Sequence, residues 1–506
     1  MKNKDEKEFI SFIQESGLVW GPSPEIYGGL AGFYTYGPLG KLLKNKVENS
    51  VRKIFNSNGF REIECPTVLP DSVWKASGHL ETFKDRIIAC SKCKAVFRAD
   101  KIIEEKYDVP ADSFSNEKIL AFIKEKGLVC PSCKGLFENS IDTQSLMMKT
   151  VVAGQEASLR PETATGTYLP YVRFYNYFRK KLPLGVFQIG KAYRNEISPR
   201  QHVLRGREFT QAEGQMFIDP ETKNKWEMYN EIKEVELPFW SSAEQEAESP
   251  VKMVKIKDAL EKGLIKSQAY GWCILLAYNQ FIGFGLPADK IRLRQHHPDE
   301  KAFYADDAWD IEVKLNNYGW TEMCGVHDRT DYDLTQHAKF SGAKLEAVRE
   351  GGEKFVPHIL EIAFGTDRSA YALMDLFYDK KEEGEGKTMF KVPYNMAPID
   401  VSVFPLVKNK SELLDLAKKI KKDLERDFVV DYDVAGTVGK RYLRSAVAGI
   451  PYAVTVDFDS LDKKIVTIRD RDSEKQIRVK VDELRNIIRD LINGDVDFLK
   501  AGELVK

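Results

Sequence analysis

Residues 185–218 constrain the fold more than any other stretch of this chain. GVFQIGKAYRNE and REFTQAEGQMFI both read as strands, and the polar segment ISPRQHVLRG between them breaks the pattern. A strand, a long loop and a returning strand make a hairpin, so antiparallel sheet must be present. Charge collects in the same place. Between Arg179 and Arg207 stand eight lysines or arginines and one acid, Glu196, a local charge of +7 in a chain whose net charge is −1. A basic run is ordinarily a solvated face. Guanidinium groups on a strand and its loop, however, converge on one concavity, where phosphates take bidentate contacts. The pattern favours polyphosphate or nucleic acid as a ligand, and it must act locally because the global field is neutral.

Length and periodicity set the organisation around this hairpin. The 506 residues are 43% hydrophobic and 30% charged, an ordinary globular composition with room for about three domains. Leu39, Leu42, Leu43, Val47, Val51, Ile54 and Phe55 share one helical face, Pro38 suits the first turn, and Asn58-Gly59 ends it. FREIECPTVLP then reads as a strand stopped by Pro66. Residues 219–290 read as mixed and mostly helical, 291–337 as further strands around GWTEMCGVHDR. HILEIAFGTDR reads as an apolar strand leading through Gly365 into a helix with Ala370, Tyr371, Met374, Phe377 and Tyr378 on one face. The charged stretch KKEEGEGK at 380–387 marks a boundary, beyond which alternating strands and helices predict an α/β unit of about 110 residues. The expected division is 1–83, an insertion at 84–150, 151–379, a linker at 380–391, and 392–506. No run of about 18 apolar residues occurs and the start lacks an apolar stretch, so a soluble, cytoplasmic protein is expected.

The seven cysteines stand at 65, 90, 93, 130, 133, 273 and 324. Cys90, Cys93, Cys130 and Cys133 form two C-x-x-C pairs, each able to present two thiolates to one tetrahedral Zn²⁺ in a reduced compartment. The 36 residues between the pairs exceed the span of a compact ribbon, so a helical stretch around RADKIIEEKYD must loop out and return. Free buried thiols are the alternative. Cys65, Cys273 and Cys324 read as small core residues.

Several unlinked motifs then agree. EIYGGLAGFYTYGPLG at 25–40, GFREIECPTVLP at 59–70, FRAD at 97–100, LRPETATG at 159–166, YRNEISPR at 193–200, REFTQAE at 207–213, GWTEM at 319–323, GTDR at 365–368 and IRDRD at 468–472 occur in one chain. In this order they resemble the class II glycyl-tRNA synthetases of the archaeal and eukaryotic type. The resemblance implies an α+β multidomain protein: an antiparallel catalytic sheet flanked by helices, a zinc-ribbon-like insertion with a structural zinc on four cysteines, and a C-terminal α/β anticodon-binding domain. It implies a homodimer without membrane attachment that uses ATP with Mg²⁺, glycine and tRNA(Gly). By the same resemblance Arg194, Glu196 and Arg368 are the catalytic residues. Arg194 grips the α-phosphate and the amino acid carboxylate, Glu196 orients adenine, Phe209 stacks on it, and Arg368 faces the β- and γ-phosphates. Asn195, Leu204, Arg205, Arg207, Glu208, Glu322, Met323 and Gly365 complete the ATP site. Arg98, Glu162, Phe209, Thr210, Gln211, Glu213, Glu361 and Gly365 form the glycine site, with Glu162 and Glu213 expected on the ammonium.

The chain departs from the family pattern at a few places. The family usually has serine at Ala363, glutamine at Thr165, alanine at His327, and an acidic pair at Ala446 and Val447. These departures motivate a second reading, a catalytically silent nucleic-acid-binding relative on the same fold.

Overall fold

The computed structural model describes residues 4–505 apart from 105, 108, 110, 112, 113, 198, 200, 299, 301–304 and 381–387. Most of the expected linker 380–391, and Arg200 of the basic loop, lie outside the described residues.

A nine-stranded sheet organises the larger part of the molecule. In chain order its strands are β1 (Phe60–Glu62), β2 (Leu184–Tyr193), β3 (Glu208–Ile218), β4 (Glu236–Trp240), β5 (Lys252–Lys255), β6 (Ile291–Gln295), β7 (Asp307–Leu315), β8 (Gly319–Thr330) and β9 (His358–Gly365). Across the sheet they run β5-β4-β6-β7-β8-β9-β3-β2-β1, antiparallel except for the β1–β2 and β4–β6 pairs. The hairpin expected at 185–218 is β2 and β3, in register from Leu184 opposite Phe217 to Tyr193 opposite Glu208.

Side-chain alternation gives the two faces opposite characters. Ala212, Met216, Trp309, Ile311, Val326, Ile362 and Phe364 point to one face and join a single buried core. Three helices cover it: α1 (Pro38–Ser57), α2 (Gln268–Gly283) and α3 (Thr366–Phe377). Helix α1 buries Leu39, Leu43, Val47, Val51 and Phe55, as its spacing requires. Phe55 is fully buried among Phe60, Phe187 and Phe364, with ring centres 4.9–5.8 Å away. It reaches that depth because residue 214 is glycine: a Cβ there would stand 2.4 Å from the Phe55 ring. The other face carries Gln211, Glu213, Gln215, Asp310, Gly325, His327, Glu361 and Ala363, and it is polar.

Residues 84–145 form a separate small unit. Strands Val96–Arg98, Lys84–Ala89 and Asp142–Ser145 make a three-stranded sheet, and helices Ala99–Glu104 and Asn116–Glu125 pack Ile102, Ile103, Ile119 and Ile123 into its own core. The C-terminal unit is a six-stranded sheet in the order β11-β10-β12-β13-β14-β15. Its strands are β10 (Val401–Pro405), β11 (Val430–Tyr432), β12 (Tyr452–Val456), β13 (Ile465–Asp470), β14 (Gln476–Lys480) and β15 (Glu503–Leu504). The helices α4 (Ser411–Leu424), α5 (Val438–Val447) and α6 (Leu484–Asn493) belong to this unit.

Residues 219–290 are mixed and mostly helical, as expected; their two strands, β4 and β5, are held extended by pairing with each other and, for β4, with β6, and not by an alternating pattern. Two local expectations are corrected. FREIECPTVLP is two short strands, β1 and Val68–Pro70, the second pairing with Gln155–Leu159; Pro66 lies in the crossing between sheets. Helix α3 ends at Phe377, so Tyr378 begins a short strand.

Candidate active site

The loop end of the hairpin and the start of α3 form one end of a cavity on the polar face of the sheet. The ladder of β2 and β3 continues one step past its last pair, with the Arg194 N–H donating to Arg207 O at 2.9 Å. Arg194 is thereby held at the mouth. Its Nε donates to Pro161 O at 3.1 Å, and its guanidinium carbon lies 5.3 Å from the Phe209 ring centre and 5.4 Å from that of Phe83. Glu196 accepts from Arg205 Nε and Nη2 at 2.9 and 2.7 Å. Arg368, in the first turn of α3, donates from Nε to Leu204 O at 3.1 Å and from Nη1 to Glu322 O and Oε1 at 2.9 and 3.1 Å. The Arg368 guanidinium lowers the Glu322 pKa, and Arg194 adds to the effect.

Carboxylates gather about four residues further along β3, roughly 14 Å at strand rise. Glu213 accepts from the Thr163 hydroxyl, and Glu162 from Thr165 Oγ1 at 2.7 Å, with His79 Nε2 at 3.7 Å. Glu361 receives Tyr168 Oη at 3.1 Å, His327 Nδ1 at 2.9 Å and Arg329 Nη1 at 3.3 Å. Their charges differ accordingly. Burial, then the nearby Glu361 and Glu162 carboxylates, pushes Glu213 up to about 8. Burial also acts on Glu361, but Arg329 and His327 outweigh it and hold that group down at about 2. Glu162 is held well below the usual carboxylate range against burial by His79 and Arg329.

Of the residues named from the sequence, Arg194, Glu196, Leu204, Arg205, Phe209, Thr210, Gln211, Glu322, Met323, Gly365 and Arg368 line this cavity with Glu162, Glu213 and Glu361. Four stand outside its lining. Arg207 turns to Glu196 O and Ala31 O at 2.8 and 3.1 Å and braces the 30–34 segment. Glu208 lies on the other side of β3 and pairs with Lys191 at 2.9 Å. Asn195 ties its backbone N–H to Leu146 O at 2.8 Å, and Arg98 is held by Asp100 and, at 3.4 Å, by Asp85 in the inserted unit.

Sequence reasoning missed the supports. Arg329 is buried, donates to Asp333 at 2.8 and 3.0 Å, and carries Glu361; the four-residue spacing in DRTDYD was the available signal. His79 opens a single helical turn, His79–Thr82, and Thr163 precedes the helix Ala164–Tyr168; neither left a signal. Beneath the cavity Lys44 of α1 reaches the Asp367 carboxylate at 2.5 Å and Thr210 Oγ1 at 2.7 Å, and Asp367 accepts the Thr210 N–H. That buried pair fixes the start of α3, and with it Arg368, against β3.

The two cysteine pairs meet in the inserted unit. Cys90 Sγ lies 3.5 Å from Cys133 Sγ, and Cys93 Sγ 3.7 Å from Cys130 Sγ. A tetrahedral ion with 2.3 Å zinc–sulfur bonds sets its sulfurs about 3.8 Å apart, so the four thiolates fit zinc. Each pair lies in a turn of the same form: Lys94 donates its N–H to Cys90 O and Lys134 to Cys130 O, both with φ near +60°.

Residues 151–377 match the family described as tRNA synthetase class II core domain (G, H, P, S and T), and 400–491 match the family described as anticodon binding domain. Sheet, arginine-lined cavity and C-terminal unit are therefore those of a class II aminoacyl-tRNA synthetase. The chain is 36% identical to a glycine–tRNA ligase of Methanothermobacter thermautotrophicus over 96% of its own length and 98% of that protein. It is 37% identical to one of Pyrococcus horikoshii over 97% and 99%. The chain belongs to the glycine–tRNA ligase family.

Proposed function

We propose that this chain activates glycine with ATP and transfers the glycyl group to the 3′ end of tRNA(Gly). The observation that carries the proposal is that one cavity gathers the guanidinium groups of Arg194, Arg205 and Arg368 at one end, two of them paired with Glu196 and Glu322, and the carboxylates of Glu162, Glu213 and Glu361 at the other. The glycine carboxylate attacks the α-phosphorus, a new P–O bond forms, and the bond to pyrophosphate breaks. Two anions must approach each other in this step, and Arg194 between them lowers the barrier by fixed charge and alignment. Arg368 faces the departing β- and γ-phosphates of Mg-ATP, and Phe209 and Glu196 receive the adenine. Glu361 is already engaged by Arg329, His327 and Tyr168, whereas Glu213 accepts from the Thr163 hydroxyl and Glu162 from Thr165 with His79 at 3.7 Å, and no guanidinium contacts either among the contacts described. These two acids take the glycine ammonium. A glycine substrate leaves larger amino acids to be excluded by overlap, so no second proofreading site is required.

In the C-terminal unit a groove lined by Thr437, Lys440, Tyr442, Ala446, Arg469 and Glu474 is our candidate for the anticodon. Zinc in the four-cysteine site holds the two turns of the insertion together. Exposed Ile26, Tyr27 and Leu30 support a homodimer. Among the described residues no helix is long and apolar enough to cross a membrane, which is compatible with the cytoplasm. The silent alternative gives no reason for the arginines to converge. Pyrophosphate exchange dependent on glycine, but not on alanine or serine, is the expected result, and Arg194→Ala lowers it about 100-fold or more. Absence of exchange in the wild-type chain overturns the proposal.

A further inference from the structure

Three side chains on the polar face have no part in the reaction described above. His296 follows β6, Asp310 lies on β7 and His327 on β8, so neighbouring strands bring them together. One ligand atom from each lies within 4.8 Å of the other two. His296 Nε2 is 2.8 Å from Asp310 Oδ2. His327 Nδ1 is 2.9 Å from Glu361 Oε1, which leaves Nε2 as the ring nitrogen not engaged by that carboxylate. An imidazole whose other nitrogen is fixed by a carboxylate is the usual state of a metal-ligating histidine. The backbone makes room for this arrangement: a Cβ on Gly325 would stand 2.5 Å from His327 Cε1, so the ring lies over Gly325, the residue that pairs with Asp310. Arg294 approaches Asp310 at 3.8 Å, but its guanidinium is committed to Glu300 at 2.7 and 3.0 Å.

We propose that His296, Asp310 and His327 bind a divalent transition-metal ion, with the remaining coordination position facing the cavity. Two imidazoles and a carboxylate select an ion of the zinc or cobalt kind over Mg²⁺. Bonds of about 2.1 Å put tetrahedral ligands roughly 3.4 Å apart, so the set closes on an ion by about an ångström of movement. His296 and His327 are both partly exposed, at 18% and 21% of their side chains, which leaves the ion a route in. This site is distinct from the four cysteines and stands whether or not glycine is the substrate.

The full chain, loaded with Co²⁺ and freed of excess by gel filtration, tests the site by metal count and electronic spectrum. The wild type is expected to retain two equivalents per chain, one with thiolate-to-metal absorption and one without. His327→Ala and Asp310→Asn each lose the equivalent without thiolate absorption and keep the other, whereas Cys130→Ser does the reverse. An unchanged melting temperature shows that the variants are folded, and His296→Gln serves if either of them is not. A wild type that retains only the thiolate-bound ion overturns the proposal. So does a second equivalent that survives the His327 and Asp310 substitutions.

Discussion

Glu213 is a carboxyl group that the free protein keeps protonated near neutrality, because burial and two neighbouring acids raise it to about 8. An ammonium ligand requires its anion, so if Glu213 takes the glycine ammonium as proposed, binding glycine releases a proton. Apparent glycine affinity should therefore rise by up to tenfold per pH unit between pH 6 and 8 and level off above that. Titration calorimetry at several pH values checks the slope, and Glu213→Gln should flatten it. The stability of the free protein is expected to follow the opposite trend. Its folded form holds this proton more tightly than the unfolded chain, so the contribution to stability is greatest below the ordinary carboxyl value of 4.5 and declines as pH climbs to about 8. At the same scale, Thr165 is a departure that the structure accounts for, since its hydroxyl holds Glu162 in place. For Ala363, opposite both Glu213 and Gly325, no compensating polar contact is present among the described residues.

Between α1, β3 and α3 the joint is the Lys44–Asp367 pair, with side chains 3% and 7% exposed. Asp367→Asn leaves an ammonium buried without its counter-ion and should cost about 3–5 kcal/mol. Adding Lys44→Met should recover most of that loss, as read from denaturant midpoints. A double variant no better than the single one would remove the pair as the cause. This pair also marks where the sequence stops being legible. The hydrophobic spacing of α1 showed which residues it buries, and a strand running through Gly365 into a helix was readable from HILEIAFGTDR. The position of Lys44 on the helix gave no hint that it would meet Asp367, 323 residues away. Strands β4 and β5 were obscure for a related reason, since pairing with neighbouring strands and not local pattern holds them extended. The hairpin and the cysteine turns could be read because each is a local motif whose chemistry lies within a few residues. Arg207 and Glu208 illustrate the limit: the motif located them, but strand alternation turns Glu208 to Lys191 on the far face and contacts with Glu196 O and Ala31 O draw Arg207 out of the cavity.

The larger and smaller parts of the molecule are joined by arginine as well. Arg471 is buried and donates from Nη1 to Phe390 O, Val392 O and Gly449 O at 3.2, 2.9 and 3.0 Å. Phe390 and Val392 belong to the core beneath the nine-stranded sheet. Tyr394 Oη adds a bond to Asp470 at 2.7 Å. Each lost charge-assisted bond is worth roughly 1.5–3 kcal/mol, so Arg471→Met should loosen the docking of the C-terminal unit. Aminoacylation of tRNA is expected to fall about tenfold or more while glycine-dependent exchange stays within about twofold. Equal losses in both assays would instead make Arg471 a residue of the catalytic fold.

Helix α1 is also gripped from that side, because Lys46 reaches Asp400 at 2.5 Å. Lys44 and Lys46 are two residues apart on one rigid rod, an axial offset of about 3 Å. The seat of Arg368 and the mooring of the distal unit are thus cut into the same spar, and neither can shift lengthwise without carrying the other.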